Sequence, residues 1–120
     1  MSWATCAIER LRTGESVEIR PRGHSMAGVI SSGDRVELRP VKFDEIEKGD
    51  AVLCRVNGTD YLHRVKSVDT LQRRALIENA RGHINGWARE AHIYGVAVRV
   101  AGKFTKAHSR LTKENSDDDA

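Results

Sequence analysis

The stretch that most constrains this chain is Asn57-Gly58, set between the apolar-rich runs Ala51–Val56 and Tyr61–Val68. Asn-Gly supplies two neighbouring residues that accept positive φ, as a tight type I′ turn demands, so the flanking runs are expected to pair as an antiparallel hairpin. On the returning arm Tyr61, His63 and Val65 share one face, and Leu62 and Arg64 the other. A lone hairpin cannot bury its apolar face and needs further strands. Ser16–Arg20 and Arg35–Arg39 alternate apolar and polar residues and are closed by Pro21 and Pro40, while Ala75–Ala80 and Ile93–Val100 are apolar runs of strand length. Gly95 marks a bulge or a point of close approach in the last of them.

Hydrophobic residues make up 39% of the 120 residues and aromatics only 5%, so one domain with a core of Val, Ile, Leu and Ala is expected. The fold class that follows is mainly β, with about six or seven strands in a domain over 15–102. A short helix within 1–14 packs on it, with Ser2 as cap, Trp3, Ala7, Ile8 and Leu11 on one side and Gly14 as stop. Val41–Lys48 reads as a polar connection and 81–87 as a turn-rich loop plugged by Trp87. Residues 103–120 thin out in apolar content and read as a flexible polar tail.

Twenty basic against 17 acidic residues give a net charge of +3, too slight for a nucleic-acid signature. The pairs Arg20/Arg22 and Arg73/Arg74 read as solvated surface, and nucleic acid is not expected as a direct ligand. Cys6 and Cys54 lack metal-ligand spacing and read as small apolar fillers; no metal and no cofactor are expected. No stretch approaches the ~18–20 apolar residues of a membrane span, and the N-terminus has no basic-then-apolar leader, so a soluble cytoplasmic protein without membrane partners is expected.

Chemistry is concentrated in Gly23-His24-Ser25-Met26-Ala27-Gly28, where glycines flank a serine between two strands. A serine hydroxyl becomes a nucleophile only when a base takes its proton. His63 is the candidate base, because its strand face is lined by apolar neighbours and imidazole titrates near 6.5 without tuning. Lys66, three positions along the strand, falls on the opposite face. His24 is adjacent to the serine and points away from it, and His83 and His92 read as loop and surface residues. Gly33-Asp34 and Gly49-Asp50 each precede a strand and read as structural turns.

Ser25-Met26-Ala27-Gly28-Val29-Ile30-Ser31-Ser32-Gly33-Asp34, then Gly49-Asp50-Ala51-Val52, then His63-Arg64-Val65 occur in this order. Together they resemble the LexA-like and signal-peptidase superfamily of serine peptidases, over about Val17 to Val100. The resemblance implies a single compact β domain of the β-clip type, with Ser25 as nucleophile and His63 as general base. It further implies oxyanion and loop support from Gly23, Met26 and the Ser25 amide, and a peptide or protein substrate bound as an extended strand with small side chains near the cleaved bond. Relatives often form homodimers. Two positions depart from the pattern: Gly28 stands where the family has proline, and His63 where many members have lysine, as in the endoplasmic-reticulum and archaeal type of signal peptidase. Histidine-using relatives orient the ring with an aspartate; the matching stretch Asn79–Trp87 has none, which leaves Asn79, Asn85 and Glu78 as candidates. The expected function is a soluble, stand-alone phage or bacterial serine peptidase, the alternative being a non-catalytic peptide- or partner-binding regulatory module of the same fold.

Overall fold

The computed structural model describes residues 3–116 as α1 (Thr5–Arg12), β1 (Val17–Ile19), β2 (Val36–Pro40), β3 (Ala51–Val56), β4 (Thr59–Asp69), β5 (Arg74–Glu78), β6 (Ile84–Arg89), β7 (Ile93–Val100), β8 (Lys103–Phe104) and α2 (Lys106–Ser116). The fold is mainly β. Asn57 and Gly58 take φ of 49° and 82°, and the hairpin they close pairs Val56 with Thr59 and continues to Ala51 opposite Arg64. All strands join one antiparallel sheet in the order β1-β2-β7-β3-β4-β5-β6, with β8 folding back on β7.

β7 is central, and its first six residues are buried because both faces of the sheet are covered. On one face Tyr94 and Ala97 meet Leu38, Leu53 and Leu62 beneath the N-cap residue Ala4 and the apolar side of α1, Ala7, Ile8 and Leu11. On the other, Val96 and Val98 pack with Val52, Cys54, Val65, Ile77 and, from α2, Ala107 and Leu111. Gly95 proves to be a close approach: a Cβ there would lie 2.9 Å from both the Arg39 carbonyl oxygen and the Leu11 methyls. The β3–β7 register also shifts beside it, between Leu53 and Cys54.

Several expectations are corrected. Residues 84–89 form a strand rather than a loop, although Gly86, at φ 132°, breaks its regularity and only Ala88 is buried. Trp87 is 38% exposed on that strand and lies under the Arg74 guanidinium at 4.0 Å instead of plugging a loop. The segment expected as a tail contains α2. Thr105 starts it by accepting the His108 N–H on its hydroxyl, and the two-residue stripe Ala107/Leu111 seals a core. Residues 117–120 of that segment lie outside the described residues, as does the Ser2 cap. Phe43 and Ile46 are buried within the expected polar connection, and Pro40 belongs to β2. Cys54 is a buried filler, its thiol pushed up to about 12 by burial, but Cys6 is exposed. Trp3 is exposed as well.

Candidate active site

The segment between β1 and β2 is pinned at its base and at its tip. At the base the Gly33 N–H donates to the Pro21 carbonyl (2.8 Å) and the Gly23 N–H to Ser32 Oγ (3.1 Å). Between them, one helix-like turn in which the Ile30 N–H donates to the Met26 carbonyl (2.7 Å) buries Met26 and Ile30 in the core beneath α1. Ser25 precedes that turn and is exposed. Its carbonyl accepts the Ala80 N–H at 2.9 Å, which ties the tip to the end of β5.

Both Gly-Asp pairs close the same kind of turn. Asp34 N–H donates to the Ser31 carbonyl while its carboxylate accepts the Ser31 N–H (2.8 Å); Asp50 and Glu47 repeat this arrangement, also at 2.8 Å. Gly33 and Gly49 occupy the position that needs positive φ, at 87° and 97°. The second turn is stitched to β4, because Gly49 N–H donates to the Val65 carbonyl and Val65 N–H to the Asp50 carbonyl, both at 2.8 Å. Val65 lies two residues beyond His63 on the same face.

These constraints bring Ser25, His63 and Asn85 into one hydrogen-bonded chain. His63 Nε2 is 2.9 Å from Ser25 Oγ, and His63 Nδ1 is 2.7 Å from Asn85 Oδ1. An amide oxygen can only accept, so Nδ1 carries the proton and the Nε2 lone pair receives the serine hydroxyl. The imidazole is 6% exposed and is flanked by the Tyr61 ring at 4.7 Å between centroids. Burial pushes its pKa below the usual 6.5; the Asn85 bond opposes this and the nearby His83 adds to it. The ring is therefore neutral at pH 7, the form that can accept a proton.

The other candidates for the third position have different partners. Asn79 Oδ1 accepts the N–H groups of Arg81 and His83, both at 2.9 Å, and so shapes the turn between β5 and β6. Glu78 pairs with Arg64 at 3.0 Å. His24 is exposed, and Lys66 is exposed at the register shift between Val65 and Ser67. His83 and His92 are exposed too, and no group of three or more metal-ligating side chains occurs among the described residues. Sequence reasoning missed the Ala80 amide, which anchors the serine through backbone chemistry and leaves no residue-type signal.

Two depressions meet at Ser25. A recess of about 30 Å³ is lined by Pro21, Met26, Ile30 and Leu62 among others. A cleft of about 390 Å³ runs between Arg20–Arg22 and the Asp60–His63 end of β4, reaching Trp3. β5 pairs with β4 only from Arg64 onward, so no described strand pairs with the outer side of that end. No family model matches the chain, and no curated protein or solved structure matches it. No described helix is long and apolar enough to cross a membrane.

Proposed function

We propose that this protein is a serine peptidase in which Ser25 is the nucleophile, His63 the general base and Asn85 the residue that orients the imidazole. The observation that carries the reading is the Ser25–His63–Asn85 chain, with bonds of 2.9 and 2.7 Å around a neutral ring. Ser25 Oγ attacks the scissile carbonyl as its proton passes to Nε2. The carbon–nitrogen bond then breaks, the imidazolium returns the proton to the leaving amine, and water repeats the sequence on the acyl-enzyme. An amide in the third position fixes the tautomer without adding charge, as asparagine does in Cys-His-Asn peptidases. Among the described residues the backbone N–H groups of Ser25 and Met26 have no acceptor, so they are available as oxyanion donors.

The substrate is a peptide or protein segment held in extended form along the outer side of β4, and the recess of about 30 Å³ favours a small side chain. The ordered motifs resembling the LexA-like and signal-peptidase superfamily support the same assignment, and the mechanism needs no cofactor. A fluorophosphonate probe tests it: the expected result is stoichiometric labelling at Ser25, abolished in Ser25→Ala and reduced by about 10⁴-fold in His63→Ala, with circular dichroism showing both variants folded. Absence of labelling in the folded parent protein would instead leave a peptide-binding module that keeps the cleft without turnover.

A further inference from the structure

The charge lining the cleft is one-sided. Arg20 and Arg22 are exposed on one wall, and neither has an ion-pair partner among the described residues. This distinguishes them from the other arginine pair, since Arg73 is held by Asp44 and Glu90 and Arg74 by Asp69. The one acid on the opposite wall, Asp60, is already neutralised: its side chain is 6% exposed and its Oδ1 lies 2.8 Å from Arg55 Nε. The imidazole on that same wall is neutral, and Arg81 follows directly on Ala80, whose amide holds Ser25. A ligand in this cleft therefore meets positive charge with no built-in counter-charge.

We propose that the cleft selects an extended polypeptide carrying Asp or Glu beside the small residue that enters the recess, with Arg22 and Arg20 as its specificity-determining residues. The inference rests on the peptidase reading for the location of the cleaved bond. Arg22 lines both the recess and the cleft, so its guanidinium acts on the side chain adjoining the recessed one. Arg20, two residues back along an extended wall, acts one step further out. A polypeptide fits better than a nucleic-acid strand because the opposite wall is the open side of β4, which offers backbone hydrogen bonding to another strand.

The test uses the Ser25→Ala protein, so that binding is read without turnover, and three fluorescein-labelled decapeptides with a central Ala-Ala flanked by Asp/Glu, by Asn/Gln or by Lys. The expected order is acidic, neutral, basic, with the acidic peptide about tenfold tighter than its amide isostere at low salt, the advantage shrinking as salt is raised toward 0.5 M. Arg20→Gln/Arg22→Gln is expected to equalise the acidic and neutral peptides; the salt series on the unaltered cleft gives the same answer should that variant not fold. Equal affinities for acidic and neutral peptides at low salt overturn the proposal, and so does tighter binding of a labelled single-stranded oligonucleotide than of the acidic peptide. The fluorophosphonate result is separate: labelling without acidic preference removes this inference alone, whereas acidic preference without labelling removes the peptidase and keeps the acidic-peptide cleft.

Discussion

Replacing Asn85 separates a working dyad from a fortuitous contact. In Asn85→Ala the Nδ1–H of a ring that is 6% exposed loses its acceptor at 2.7 Å. An unsatisfied buried donor costs about 1–3 kcal/mol, and the ring avoids this cost by moving its proton to Nε2, the atom that must accept from Ser25. At about 1.4 kcal/mol per decade, the competent tautomer becomes scarcer by roughly 10- to 100-fold, and fluorophosphonate labelling slows by that factor. The pH dependence adds a signed check. Burial lowers the His63 pKa and the Asn85 bond raises it, so Asn85→Ala moves the acid limb of the labelling profile to lower pH even as the plateau falls. Asn85→Asp does the reverse, because a carboxylate stabilises the imidazolium; its limb moves up and its plateau stays at or above the parent's. Stability obeys the same linkage. With the folded pKa depressed, the His63 contribution is complete above about 6.5 and is lost as pH falls toward the folded value, a window that widens in Asn85→Ala. Labelling rates from pH 4.5 to 9, with melting curves at each pH, check all of this. An Asn85→Ala protein that labels at the parental rate with an unmoved acid limb refutes the assignment of Asn85.

Gly28→Pro, which introduces the proline of the superfamily pattern that the chain resembles, is expected to slow labelling of Ser25, since Gly28 has φ 92° and proline is fixed near −65°; a faster rate would show that the serine loop is held otherwise. Gly95→Ala places a Cβ 2.9 Å from the Arg39 carbonyl oxygen and Leu11, and denaturant melts should show a loss of about 1–3 kcal/mol. Arg110→Met leaves Asp50 buried without the guanidinium 2.7 Å away, a loss of about 2 kcal/mol that places it below fully buried pairs because Arg110 is partly exposed. Calorimetry should record this as a fall in melting temperature of about 6–8 °C.

How much of this was legible depended on whether the determining contact was local. The Asn57-Gly58 hairpin, the strand Ile93–Val100 and both Gly-Asp turns rest on the φ preferences and alternation of a few consecutive residues, and they occur where the sequence indicates. Ser25 and His63 could be named because serine needs a base and one strand face offered it. The choice among Asn79, Asn85 and Glu78 could not be made, because it depends on β6, an edge strand with a glycine at φ 132° and one buried side chain. α2 was hidden for a related reason. Its apolar signal is only Ala107 and Leu111, and a further anchor, Arg110, bonds to Asp50, Glu47 and the Glu45 carbonyl sixty or more positions away. Thr105 was the readable sign, a cap residue just before a helix-forming run.

The repeated Gly-Asp turn gives these pieces a common logic. The turn ending at Asp34 closes the base of the serine loop, where Gly33 also bonds to Pro21. The turn ending at Asp50 grips β4 through Val65, two residues beyond the imidazole. Ser25 and His63 are thus each held by a turn in which an aspartate accepts the backbone N–H three residues before it, and α2 clamps only the second through Arg110. Loosening that clamp should act on the His63 side of the pair while leaving the serine loop's own anchors at Pro21, Ser32 and Ala80 intact. A loss of Ser25 labelling rate in Arg110→Met accompanied by undiminished proteolytic resistance of residues 21–34 is therefore the signature that distinguishes a displaced His63 strand from general loosening of the fold.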